Sequence, residues 1–379
     1  MVLKDNLLFY KIIEILLIIF PLTLLFSNVI SELILLLFIL LYFKEVKITK
    51  FVSDLKKPII LFLLVFWIYL IINYLINFQT EPSIERALFF FRFILMIVAL
   101  NYFINNPNIN LKKIFDFWIF IFFFVSADLF LQFFTHKNIL GYAAIQQGSI
   151  YRLGGIMDNE LKISNLIYHF GALIFSYHFS RQLKKNNTIN IKSLIFLITI
   201  TVAIFLTAER ANFVTMLSFI SLFILFYYFK VKKFFFLFLI VVSIAIFIPL
   251  KFKSDLSNRM INDLFGKVEL FKPDKQVFYL NKDSHYFAHY SAAYQIYERN
   301  KIFGVGLKNF RKFCDDETLN KKIHPKWQDR KCATHPHHFI LEILSEIGLV
   351  GFFLIFSFFV FSFFKFLKIY KKTNHTFLL

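Results

Sequence analysis

The run Pro58–Ile76, PIILFLLVFWIYLIINYLI, carries no charged residue and no alternation of apolar and polar positions. A half-buried strand would alternate with a period of two, and a barrel strand would be only about 9 to 11 residues long. A continuous apolar run of this length matches one helical crossing of a hydrocarbon layer roughly 30 Å thick, where a helix satisfies its own backbone polar groups. SLIFLITITVAIFLTA, residues 193–208, reads the same way.

The rest of the chain follows that pattern. Its 58% hydrophobic residues and 57 phenylalanines in 379 residues, with a mean hydropathy of +0.64, exceed what a soluble core can enclose. The expected fold is an all-α polytopic membrane protein. Spans are expected near residues 8–28, 31–43, 58–76, 87–105, 114–134, 163–180, 193–208, 211–229, 234–250 and 339–364. That is about ten, or up to about twelve if long runs such as 339–366 break at their glycines. The first run, LLFYKIIEILLIIFPLTLLF, is followed by no small-residue cleavage site and reads as a retained anchor.

Charge orients the bundle. The lysine-rich stretches KEVKITKFVSDLKK (44–57), NLKK (110–113), SRQLKKNNTINIK (180–192), KVKK (230–233) and KFLKIYKK (365–372) fall in alternate loops with Lys4 and Lys11. By the positive-inside rule this side and both termini are expected to be cytoplasmic, in a multi-pass protein of inner-membrane type. The formal net charge of +19 is then a topology signal, with lysines resting on anionic lipid head groups. No basic stripe interleaved with aromatics marks a soluble face, so no nucleic acid partner is implied.

Two segments on the opposite side, about 136–162 and 251–336, are too long to be plain connections and should carry the function. The chain accordingly divides into a bundle over 1–250 with an outer segment at 135–162, a periplasmic loop over 251–336, and a final helix, span and cytoplasmic tail over 337–379. Cys314 and Cys332 lie in the outer loop. In an oxidising compartment a disulfide is the default, closing about 19 residues and worth roughly 3 kcal/mol in the chain-entropy model. Zinc is the competing use of these cysteines with His324, His335, His337 and His338, but neither Cys-x-x-Cys nor His-x-x-x-His spacing is present, so no metal is expected.

CATHPHHFILEILSEIGLVG, Cys332–Gly351, places three histidines before an apolar helix. Histidine, with an unperturbed pKa near 6.5, suits removal of a proton from a hydroxyl at neutral pH. Glu342 and Glu346 follow at helical spacing below His338; they are either functional carboxylates in a span or wet ones on a helix half outside it. Arg210, in a short turn beside Glu209, and Arg92, inside the fourth span, add guanidinium groups, with Arg86 and Arg152 on the same outer side. Several such planar donors around one cavity would suit a pyrophosphate, although Arg86 is better explained by a lipid head group. Asp128, Gln132 and Glu160 could order those arginines or bind sugar hydroxyls.

These residues resemble the O-antigen ligase and O-antigen polymerase superfamily of bacterial membrane glycosyltransferases. Its signature is a histidine, usually an amide or hydroxyl residue, nine residues, glycine, two residues and glycine. His337, His338, FILEILSEI, Gly348, Leu349, Val350 and Gly351 fit that spacing, with His338 departing from the usual residue type. YRLGGIMDNE (151–160), carrying Arg152 and Glu160, is similar to the family's Arg-Leu-Ser-Gly segment and its acidic residue. TAERANF (207–213) resembles its turn arginine, and YQIYERNKIFGVGLKNF (294–310), with Gly304 and Gly306, its loop helix. Where the family has a second arginine at the start of that helix, this chain has His285 or His289.

The resemblance implies cofactor-free, metal-independent, inverting glycosyl transfer at the periplasmic face. The donor would be a glycan on undecaprenyl pyrophosphate, and the acceptor a hydroxyl of lipid A-core (ligase) or of a second lipid-linked glycan (polymerase). His337 would be the base, Arg210 and Arg152 the stabilisers of the leaving pyrophosphate, and Arg92, Glu160, His338, His285 and His289 substrate contacts. A transporter or flippase is the rival class, but no inverted repeat and no matched pair of broken spans is visible.

Overall fold

The computed structural model describes residues 2–80, 83–147, 150–186, 191–252, 256, 260, 268–269, 279–280 and 285–372. It is helical almost throughout. In chain order the longer helices are α1 (Val2–Phe26), α2 (Asn28–Glu45), α3 (Ile48–Leu55), α4 (Pro58–Ile76), α5 (Ile84–Phe89), α6 (Phe91–Ile104), α7 (Leu111–Thr135), α8 (Ile163–Asn186), α9 (Ile191–Leu206), α10 (Arg210–Phe252), α11 (His285–Arg299) and α12 (Phe339–Lys372). Among the described residues five segments are long and apolar enough to cross a membrane: Leu8–Phe26, Pro58–Ile76, Ile84–Ile104, Leu111–Thr135 and Phe339–Ile369. Ile191–Leu206 and Arg210–Ile224 are shorter apolar helices. The protein is an all-α polytopic membrane protein.

One break expected from charge is missing. KVKK, residues 230–233, lies inside α10, which runs unbroken for 43 residues. Lysine is a good helix former, and neither glycine nor proline occurs near the tetrapeptide, so the charges mark a position along a helix rather than its end.

The chain forms two compact units, one from Met1–Leu35, Phe103–Gly266 and Ile369–Leu379, the other from Leu36–Tyr102 and Lys267–Lys368. In the first, α9 is the central helix. Ile200, Thr201, Ala203 and Ile204 on it have no exposed surface, and it packs on α7, α8 and α10. Phe115 of α7 stacks on Tyr177 of α8 at 4.0 Å, and the Trp118 indole N–H donates to the Leu17 carbonyl at 3.0 Å, tying α7 to α1. The Asn110 side chain caps α7 by accepting from the Lys113 N–H.

The segment after α7 is a small structured loop containing an antiparallel hairpin, β1 (Ile145–Gln147) with β2 (Ile150–Arg152). Asp128 Oδ1 accepts the Ile139 N–H at 2.8 Å. Gln132 accepts the Gly155 N–H at 2.8 Å and donates to the Tyr142 carbonyl at 3.2 Å. These two buried residues therefore hold loop backbone, not the arginines or a sugar as their position in the sequence suggested. Unpaired backbone groups inside a protein cost free energy, and here side chains of α7 satisfy them.

In the second unit α12 breaks at Gly348, which stands at φ 65, ψ −169. A break leaves helical carbonyls and amides without their partners. The loop between α11 and the short helix Phe310–Phe313 supplies replacements. The Val305 and Gly306 N–H groups donate to the carbonyls of Ser345 and Glu346, both at 2.9 Å, while the Leu349 and Val350 N–H groups donate to the carbonyls of Lys301 (2.8 Å) and Ile302 (3.2 Å). The Tyr69 hydroxyl of α4 donates to the Ile347 carbonyl. Asn73 Nδ2 donates to the Phe303 carbonyl at 2.6 Å.

The two backbones meet at Gly304 and Gly348, both at positive φ. A Cβ on Gly304 would lie 2.5 Å from the backbone of Glu346, and one on Gly348 would lie 2.3 Å from the Ile302 carbonyl oxygen. Only glycine fits such an approach.

Beyond this junction the segment between α11 and α12 has its own core: Ala288, Ala292, Ala293 and Ile296 of α11 pack with Val305, Phe310, Cys314, Leu319 and Ile323. A disulfide between Cys314 and Cys332, Cα atoms 5.2 Å apart, closes it.

Gly304→Ala and Gly348→Ala should each lower stability by about 3 kcal/mol or more, because backbone cannot yield as a flexible side chain can. Gly141, also at positive φ but with nothing within 4 Å of where a methyl would stand, should cost only about 1–2 kcal/mol as alanine. Thermal denaturation midpoints of the three variants in one detergent check this. Equal losses would mean that φ strain alone matters. Replacing both cysteines by serine should cost roughly 3 kcal/mol.

Candidate functional site

The histidine cluster is built by the end of the disulfide loop meeting the start of α12. Pro336 is buried, and His337 takes a left-handed backbone conformation, φ 55, which turns the chain into the helix. His338 is the N-cap of α12. Its carbonyl accepts the Glu342 N–H at 2.9 Å, and its ring Nδ1 accepts the Leu341 N–H at 3.3 Å. An amide or hydroxyl oxygen performs this task at most helix starts, so a histidine does here what the residue types usual at this signature position do. The His338 ring also meets the edge of Tyr290 at 5.2 Å.

His337 is exposed, and its ring stands among others. The His335 ring is 4.2 Å away, the His289 ring 5.4 Å, and the Tyr286 ring 5.6 Å edge-on. His289 is buried on α11, with its Nδ1 2.9 Å from the Lys331 carbonyl. Burial pushes the Tyr290 phenol above its usual range, and Tyr286 adds to the shift, so Tyr290 stays neutral at working pH. His285 begins α11; its side chain lies outside the described residues. Tyr286 and Tyr290, which sequence reasoning passed over, sit three residues before and one after His289 on the same helix; helical spacing around the SHYFAHY motif was the signal available.

The carboxylates below the histidines have a structural use. The Lys308 ammonium pairs with Glu342, and the Lys308 N–H donates to Glu346 Oε2 at 2.8 Å. Glu346 is 2% exposed. Both glutamates thus fasten the Gly304–Gly306 loop to α12. The disulfide removes the thiolates of Cys314 and Cys332 from any metal-ligand set.

The arginines of the other unit form a second group. Arg152, at the end of β2, makes an ion pair with Glu209. The Glu209 carbonyl accepts the Phe213 N–H at 3.1 Å, so Glu209 caps α10 and Arg210 is its first residue. Arg152 and Arg210 are brought to one helix N-terminus, where backbone N–H groups also favour an anion. Glu160 is exposed and pairs with Lys162 at 2.7 Å, away from that ion pair. Arg92 lies in the second unit. It stays on α6, its guanidinium 4.9 Å from the centre of the Phe93 ring, a cation–π contact that offsets part of the cost of a charge among apolar groups.

Residues 195–356 match the family model described as O-Antigen ligase. A search of curated proteins gave no match. The matched stretch runs from α9 through Arg210, α11, Gly304, the disulfide and His337 to just beyond Gly351. Residues 195–356 are thus similar to the O-antigen ligase family, which supports a place within the superfamily of O-antigen ligases and polymerases.

Proposed function

We propose that the protein is an inverting, metal-independent glycosyltransferase of the bacterial inner membrane, working at the periplasmic face with both termini in the cytoplasm. It moves an oligosaccharide from undecaprenyl pyrophosphate to a sugar hydroxyl, as an O-antigen ligase acting on lipid A-core. The observation that carries this reading is His337: an exposed imidazole fixed at the head of α12, inside the segment matched by the O-antigen ligase family model.

In the reaction a His337 ring nitrogen takes the proton of the acceptor hydroxyl as its oxygen attacks the anomeric carbon. The bond from that carbon to the pyrophosphate oxygen breaks, and its electron pair leaves with the phosphate, so a single displacement inverts the centre. The family resemblance assigns Arg210 and Arg152 to the charge that develops on the leaving phosphate, and Glu209 orients Arg152. His338 is assigned to the helix, because the nitrogen facing its own chain already accepts from Leu341. Arg92, Glu160 and His285 are the further contacts expected for the glycan and its phosphates. An O-antigen polymerase would use the same groups and differ in taking a second lipid-linked glycan as acceptor.

The test is transfer by the purified protein from an undecaprenyl-pyrophosphate-linked glycan, with lipid A-core and a second lipid-linked glycan offered separately and EDTA present. His337→Ala should lose roughly 10²–10⁴-fold in rate, the usual range for a general base, while His338→Asn keeps the cap and most of the activity. Transfer that survives in His337→Ala, or that EDTA abolishes, overturns the mechanism. The preferred acceptor decides between ligase and polymerase. Arg210→Lys, which keeps charge but loses the planar fork, should cost about 10–100-fold in kcat; an unchanged kcat would remove Arg210 from the site.

A further inference from the structure

The family resemblance places an arginine near the start of the loop helix, where a cation would meet phosphate, and this chain offers His285 or His289. The geometry of His289 does not suit that use. It is 6% exposed, and its Nδ1 lies 2.9 Å from the Lys331 carbonyl oxygen. A carbonyl can only accept, so this nitrogen carries the proton and donates. The hydrogen bond fixes both the tautomer and the plane of the ring. The face so fixed lies beside His337, with ring centres 5.4 Å apart.

Lys331 is itself held. It is buried, its ammonium donates to Asn320 Oδ1 at 2.7 Å, and the next residue is Cys332 of the disulfide. The chain of support therefore runs from the disulfide to the Lys331 carbonyl, to the His289 ring and to the His337 ring. Tyr286, one turn before His289, meets the His337 ring edge-on at 5.6 Å, its own ring 6.4 Å from that of His289. Groups that orient a reacting imidazole through its neighbours are worth about 10–100-fold in activity where they have been removed.

We propose that His289 is a positioning residue: anchored by the Lys331 carbonyl, it holds the His337 ring in the orientation needed to take the acceptor proton, and it is not a phosphate contact. This rests on the reading of His337 as the base.

His289→Asn keeps a donor close to the Nδ1 position, whereas His289→Phe keeps the ring volume and loses the donor. In the transfer assay with the full-length protein, His289→Phe should lose about 10–100-fold in kcat with the KM for the lipid-linked donor unchanged. His289→Asn should stay within a few-fold of wild type. A rise in KM with kcat preserved would assign His289 to the phosphate, and wild-type kcat in His289→Phe, or equal losses in both variants, would overturn the proposal. Wild type and His337→Ala run alongside: an inactive wild type or an active His337→Ala defeats the reading of the base, whereas expected behaviour of those two with an unaffected His289→Phe defeats this inference alone. Independently of the transfer assay, the wild-type protein labelled with ¹⁵N-histidine should show an imidazole protonated at Nδ1 that is missing from His289→Asn. Protonation of that ring at Nε2 only would overturn the proposal.

Discussion

The second unit depends on one exchange of hydrogen bonds. At Gly348 the helix stops being a helix, and the groups it would have paired internally are paired instead with the backbone of residues 301–306. Each such bond is worth about 1 kcal/mol net, but each buried group left unpaired would cost roughly 1–3 kcal/mol, so the break and the loop require one another. The two glycines make the approach sterically possible. Lys308, fastened to Glu342 and Glu346, reinforces it from the side-chain level.

From that junction follows the placement of the chemistry. Fixing residues 301–306 on α12 fixes α11 above them, since α11 ends at Arg299. Fixing α11 in turn places Tyr286, His289 and Tyr290 beside the head of α12, where His337 and His338 lie. The disulfide closes the remaining end of the loop just before the histidines. His337 is thus exposed yet has the His335, His289 and Tyr286 rings beside it.

Much of this was legible in the sequence, for identifiable reasons. Pro58–Ile76 was readable to the residue because its apolar run is bounded by Lys57 and Asn77, and proline opens it at the first helical turn. The signature glycines and the two cysteines were readable as spacing, though not what Gly348 touches: its partner backbone is more than forty residues away in the chain. The break at KVKK was misjudged because charge reports position relative to a membrane and not helix ends. Asp128 and Gln132 were read as able to order arginines or bind sugar hydroxyls, and Glu342 and Glu346 as either functional or wet carboxylates, because a polar residue in an apolar run is a functional flag. The structure uses them on loop backbone and on Lys308. His338 departs from the residue type usual at its signature position, yet its ring accepts from Leu341, a local bond that no spacing rule reveals.

The central claim is that the glycine loop replaces the missing helical partners of α12, and hydrogen exchange at backbone amides reads it most directly. In the intact protein in lipid nanodiscs, the amides of Val305, Gly306, Leu349 and Val350 should exchange as slowly as those in the middle of α4, and Gly348→Ala should release all four together. Exchange of these four amides in the wild-type protein at the rate of exposed loop amides would contradict the account.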